Sequence, residues 1–214
     1  MFNKLLSIAL LLLVTTASYS QSAYVTVELP KGVSIDIPKN WVALSNSDKI
    51  DLSAFSEAIA EEVAVLSSEL GNLYFAANYY NKQGKTEALV NLTYYPNSEL
   101  SQEDVKNMSE FILSIIDIQL KDDMNTVLDK IGFKVIEWKG LRKEKVGKGN
   151  LIALITEYRR SGYFGDSSRV KIIKTHNKEN TFNMTVSYTD NKPHSFMLEA
   201  ITNKIINSLR VKGL

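Results

Sequence analysis

The chain has 214 residues, 44% of them hydrophobic, a formal charge of +1 and no cysteine. That is apolar material for one sizeable core, and too little net charge to draw the chain onto nucleic acid or an anionic membrane. The missing thiols exclude disulfides, cysteine chemistry, an N-terminal cysteine lipid and most structural zinc sites.

Residues 1–20 read as a secretory leader. Lys4 stands before an apolar run of about ten residues ending at Val14, and Ser18 and Ser20 fit the small positions before a cut at Gln21. The alternative, an uncleaved anchor, needs an apolar run of roughly 20 residues. The expectation is a bacterial protein released to the periplasm or the medium, with residues 21–214 forming one α+β domain of zero formal charge once Lys4 is gone.

Tyr24 to Leu29 and Val33 to Ile37 alternate apolar and polar residues across Pro30-Lys31-Gly32, the pattern of two half-buried strands and a tight turn. Trp41 follows a prolyl turn and is placed to pack over a sheet end. Leu52, Phe55, Ile59, Val63, Leu66 and Leu70 recur at steps of three and four and predict a helix from Asp51 to Leu70, with Glu61 and Glu62 on its solvated face. Leu73 to Tyr80 and Glu87 to Tyr95 form an aromatic-rich hairpin. Ser101 to Gly132 reads as one long helix. Ser101 and Asp104 suit a capping box, and Val105, Met108, Ile112, Ile115, Leu120, Met124, Val127, Leu128 and Ile131 are expected to face a sheet. Asp122-Asp123 suggests a bend in it. Phe133 to Trp138 is a strand, and the basic Leu141 to Lys148 is expected to be a solvated turn. Leu151 to Tyr158, apolar on both faces, reads as a central strand. Arg169 to Thr175 and Thr181 to Tyr188 complete the strands, and Pro193 begins a helix with Met197, Ile201, Ile205 and Leu209 inward. The order β-β-α-β-β-α-β-β-β-β-α, joined mostly by tight turns, predicts a largely antiparallel sheet covered by helices.

On VSIDIPKNW near the mature start, on this element order and on TFNMTVSYTD followed by an amphipathic helix, the chain resembles the Mog1/PsbP-like superfamily of α/β/α sandwiches. The resemblance spans nearly all of residues 22–214 and implies a bacterial exported member. Members named for a plant photosystem subunit or a nuclear-transport cofactor act by binding other proteins, so the implied function is non-enzymatic protein binding. The superfamily has no shared active-site motif, and no residue role is carried over.

The residues themselves show no catalytic, metal or cofactor motif, and no cofactor is expected. His176 and His194 stand 18 positions apart outside any metal pattern, and read as exposed. No G-x-S-x-G elbow and no glycine-rich phosphate loop follows a strand. The feature left over is the hairpin Arg159 to Arg169, in which Tyr163 and Phe164 lie between glycines and Arg159, Arg160 and Arg169 stand at the base. Arginine and tyrosine are enriched at the energetic centres of interfaces, which makes these five residues the candidate contact for an envelope protein partner. The other reading folds the aromatics back over the sheet edge. Two rival functions remain at this point: a small-ligand or lipid carrier with a cavity lined by Tyr74, Tyr80 and Tyr94, and a hydrolase whose site is assembled in space.

Intact-mass measurement on protein recovered from the periplasm or medium is expected to give a chain starting at or near Gln21. A full-length species that needs detergent overturns the leader reading.

Overall fold

The computed structural model describes residues 23–44, 72–96, 98, 100–149, 151–162, 165–177 and 179–212. The leader, the helix expected at 51–70, Tyr163 and Phe164 lie outside the described residues. The strands are β1 (Tyr24–Leu29), β2 (Val33–Pro38), β3 (Val42–Ala43), β4 (Asn72–Tyr80), β5 (Thr86–Pro96), β6 (Val135–Val146), β7 (Leu151–Ser161), β8 (Ser167–His176), β9 (Asn180–Thr189) and β10 (Arg210–Val211). Three α-helices are described, α1 (Gln102–Asn107), α2 (Glu110–Lys130) and α3 (Ser195–Ser208). The class is α+β, and every strand pairing is antiparallel.

The main sheet runs in the order β3-β4-β5-β9-β8-β7-β6. Its centre is built by strict alternation. On β9, Phe182, Met184, Val186 and Tyr188 point to one face and are buried in a cluster with Leu198 and Ile205 of α3. On β7, Leu151, Ala153 and Ile155 join that cluster, whereas Leu154 packs with Val105 of α1 and Leu113 of α2 on the opposite face. Helices therefore cover both faces, as the sequence predicts, and β7 is buried on two sides.

The first hairpin departs from the expected single sheet. Strand β2 pairs with β1 on one side and with β10, the segment just past α3, on the other. This small sheet lays Val33, Ile35 and Ile37 on the main core beside α3. Trp41 is buried there too, its ring 6.4 Å from that of Tyr79. Gly147, in the β6–β7 turn, has φ +68 and no room for a side chain: a Cβ there would meet the Leu209 carbonyl oxygen at 2.2 Å. The adjacent Lys148 amide donates to that same carbonyl at 2.8 Å. The last residues of the fold are thus held by β2 on one side and the β6–β7 turn on the other.

The long helix is two helices. The capping box at Ser101 and Asp104 forms, but the chain leaves α1 at Met108, and the Ser109 hydroxyl accepts the Ile112 amide to start α2. The Lys143 ammonium donates to the freed carbonyls of Lys106 and Met108. Restarting the helix at Ser109 changes its rotational phase. Leu113 and Leu128 become the buried residues of α2, while Ile112 and Ile115, expected inward, are 46% and 51% exposed. No break falls at Asp122-Asp123, since α2 is continuous through both. On α3 the expected Ile205 and Leu209 are buried and Ile201 packs half-buried against the core, but Met197 is exposed and Leu198 takes its place. The basic Leu141 to Val146 stretch is strand and not turn, because Lys143 and Arg142 find partners on α1 and β7.

Denaturant unfolding is expected to show Leu198→Ala destabilised by about 2–5 kcal/mol, the range for truncating a buried leucine. Ile115→Asp should stay within about 0.5 kcal/mol of wild type, as exposed substitutions do. A large loss at Ile115 would contradict the phase change.

Candidate partner-binding surface

Three connections meet at one end of the main sheet: the β4–β5 turn, the β7–β8 tip and the β9–α3 loop. Asn81 shapes the first, its side-chain oxygen accepting the amides of Gln83 and Lys85 at 3.0 Å, with Gly84 in the left-handed region. Its amide nitrogen donates to Glu87 at 2.9 Å, and the other Glu87 oxygen lies 2.7 Å from His194 Nε2. His194 is the residue before α3, so this pair seats the helix start on the turn. In the β7–β8 tip, Asp166 is gripped by Lys192 at 2.7 Å and by Lys85. Hydrogen bonds from those two ammonium groups hold its carboxyl down to about 2. The Gly162 amide donates to the Asp166 carbonyl at 2.7 Å and closes the tip. One aspartate thus ties all three connections together.

A charged layer beneath supports them. Arg159 and Arg169 are direct cross-strand neighbours on β7 and β8, an arrangement that repels unless it is compensated. Asp190 lies 2.8 Å from Arg159 Nε and 3.9 Å from Arg169, and also accepts from the Ser167 hydroxyl. Glu157, with a side chain 6% exposed, meets Arg169 at 3.2 Å, Arg142 at 3.1 Å and Lys139 at 3.0 Å. Burial by itself would raise its carboxyl. The Lys139 hydrogen bond, the Lys171 and Lys139 charges and the Arg169 hydrogen bond outweigh that and hold it below the ordinary carboxylate range. Tyr188 is buried beside them, and burial pushes its phenol well above its ordinary value.

Of the five residues singled out in the sequence, Arg159 and Arg169 come together on one face and are engaged in ion pairs within the chain. Arg160 points to the other face, its guanidinium 4.6 Å from the centre of the Phe133 ring. Tyr163 and Phe164 lie outside the described residues. Sequence reasoning missed Phe196 and Met197 in the first turn of α3, which are 75% and 40% exposed at this same end. For Phe196 the signal was present, since it lies outside the expected stripe of Met197, Ile201, Ile205 and Leu209; Met197 was expected inward and gave none.

His176 is buried, not exposed, with Nδ1 3.0 Å from the Ser98 hydroxyl and 2.9 Å from that of Thr181. The Asp104 carboxylate is near enough to act on His176 electrostatically, and a second histidine–carboxylate pair, His194 with Glu87, stands at the far end of the strands. Among the described residues no group of three or more His, Asp or Glu is placed to hold a metal, and no helix is long and apolar enough to cross a membrane. Of the tyrosines offered for a carrier cavity, Tyr94 packs against the core and Tyr80 is 37% exposed.

No family model and no curated protein matches the chain. Among solved structures, that of cyanobacterial PsbP (CyanoP) from Synechocystis sp. PCC 6803 aligns with a TM-score of 0.53 at 7% identity, over 91% of this chain and 96% of that one. At that identity the likeness is one of fold. A protein from Bacteroides thetaiotaomicron VPI-5482 (TM-score 0.43, 9% identity) aligns over 84% of this chain but only 45% of its own length. LpqN of Mycobacterium tuberculosis, involved in cell envelope biogenesis, aligns with a TM-score of 0.43 at 12% identity over 86% and 87%.

Burial holds the His176 imidazole down to about 4, against about 6.5 in an unfolded chain. Between these values the unfolded state binds more protons, so stability is complete above pH 6.5 and falls as pH drops toward 4. Urea unfolding at pH 7 and pH 4.5 should show a loss of about 2–3 kcal/mol from this residue. His176→Gln should remove that part of the slope, and parallel slopes would mean that His176 does not control it.

Proposed function

We propose that this chain, with its PsbP-like fold, is an exported, non-enzymatic protein that works by binding another protein of the cell envelope through the end of the sheet where the three connections meet. The observation that carries the reading is the pair Phe196 and Met197, left exposed on the first turn of a helix whose start is fixed by Glu87 and His194. An apolar anchor on a rigid, charged support is what an interface centre uses, because little order has to be gained on binding. Tyr163 and Phe164 stand in sequence between Gly162 and Asp166, the aspartate tied to Lys85 and Lys192, and the reading counts them with the same surface. Because Arg159 and Arg169 are engaged in ion pairs within the chain, the reading gives them the supporting role and leaves the contact to the aromatics. The fold shared with PsbP and the implied protein-binding habit of that superfamily point the same way.

Affinity capture from a native envelope extract, followed by titration of the purified captured protein, tests this. The triple variant Tyr163→Ser, Phe164→Ser, Phe196→Ser should keep the wild-type melting temperature and bind at least about tenfold more weakly. A collapse of stability with unchanged binding would make the residues structural and remove the surface.

A further inference from the structure

A second apolar surface lies away from the loop end. On the side of α2 opposite Leu113, Phe111 is 73% exposed, Ile118 64%, Ile115 51% and Ile112 46%. The spacing of Phe111, Ile115 and Ile118 makes one continuous stripe of two turns. We propose that this stripe docks against the same stripe of a second copy of the chain, the two α2 helices running antiparallel about a two-fold axis beside Ser114 and Ile115. In that register Phe111 of one copy meets Ile118 of the other, and the small Ser114 sits opposite Ile115, which lets the helices approach.

The charges select this occupant. Lys121 lies just past the stripe at its C-terminal end and Glu110 just before it, both exposed and on the same flank of α2. Antiparallel pairing sets Lys121 of each copy near Glu110 of the other. Parallel pairing would carry these flanks to opposite sides of the seam and leave both charges without that partner. A lipid surface is disfavoured, since the flanks carry Glu110, Ser114, Gln119 and Asp122 with a single lysine, Lys121, where a membrane-lying helix carries several lysines and arginines. Four side chains fall short of the about 800 Å2 per partner of a standard interface, so the association is weak, in the micromolar range or above.

Sedimentation velocity at low salt should show the average mass rising from monomer toward dimer between ~10 and ~500 μM. Phe111→Ser or Ile118→Ser should keep the protein monomeric at every concentration. Glu110→Lys should weaken the dimer at least about threefold, and Glu110→Lys with Lys121→Glu should restore it. A wild type monomeric at ~500 μM, or a charge swap that fails to restore, overturns the proposal. So does co-sedimentation with phosphatidylglycerol vesicles that Phe111→Ser abolishes, which would assign the stripe to lipid. A melting temperature lowered by more than about 5 °C in Phe111→Ser would show the stripe to be covered by its own chain, and would overturn the proposal as well.

Discussion

The buried carboxylate of Glu157 sets conditions on much of the structure around it. It stands on the same face of β7 as Leu151, Ala153 and Ile155, but at the end where the apolar core gives out. A carboxylate taken out of water costs several kcal/mol unless cations reach it. Lys139 and Arg142 come from β6 and Arg169 from β8, so both neighbours of β7 must keep their registers for the charge to be compensated. Arg169 also reaches Asp190, and Asp190 holds Arg159 and Ser167. The path from a central strand to the loop end is therefore a run of ion pairs, and the position of the candidate surface follows from it.

The opposite face is governed by a smaller device. Asp117 on α2 accepts the Trp138 indole N–H at 2.9 Å and the Leu141 amide at 2.6 Å, either side of Gly140, where the β6–β7 register shifts. The bulge frees backbone donors and the helix supplies the acceptor. Strand β6 is an outer strand of the sheet, and its many lysines and arginines protect it from pairing with stray strands. Lys139, Arg142 and Lys143 also serve inward, one on each of several fixed acceptors.

Most of the strands were readable because their sequences alternate with period two, and Phe182 to Tyr188 is the clearest case. The two-sided burial of β7 was equally readable from its unbroken apolar run. What failed was phase. A serine in the interior of an apolar helical pattern reads as a tolerated polar residue, and Ser109 gives no local sign that it will cap a new helix. Once it does, the residues beyond it rotate, and Ile112 and Ile115 pass from expected core to surface. Strand β10 was hidden for another reason: two residues have no periodicity, and only their partner β2, 176 to 178 positions earlier, makes them a strand. At the candidate surface the arginines were noticed but not their partners. Glu157 and Asp190 look like ordinary surface residues until the sheet is assembled.

The seat of Leu209 to Val211 orders the folding process in time. Strand β2 is made early, yet one of its edges is filled by Arg210 and Val211, and the space beside Gly147 is closed by Leu209. Contacts so distant in sequence are slow to form, because nearly the whole chain must be brought round before they are made. A growing chain can form the β1–β2 hairpin, but it cannot finish that sheet until the last turn of α3 has been synthesised and passed. Until then the Val33, Ile35 and Ile37 face lacks its helix, and the nascent chain keeps that apolar surface uncovered.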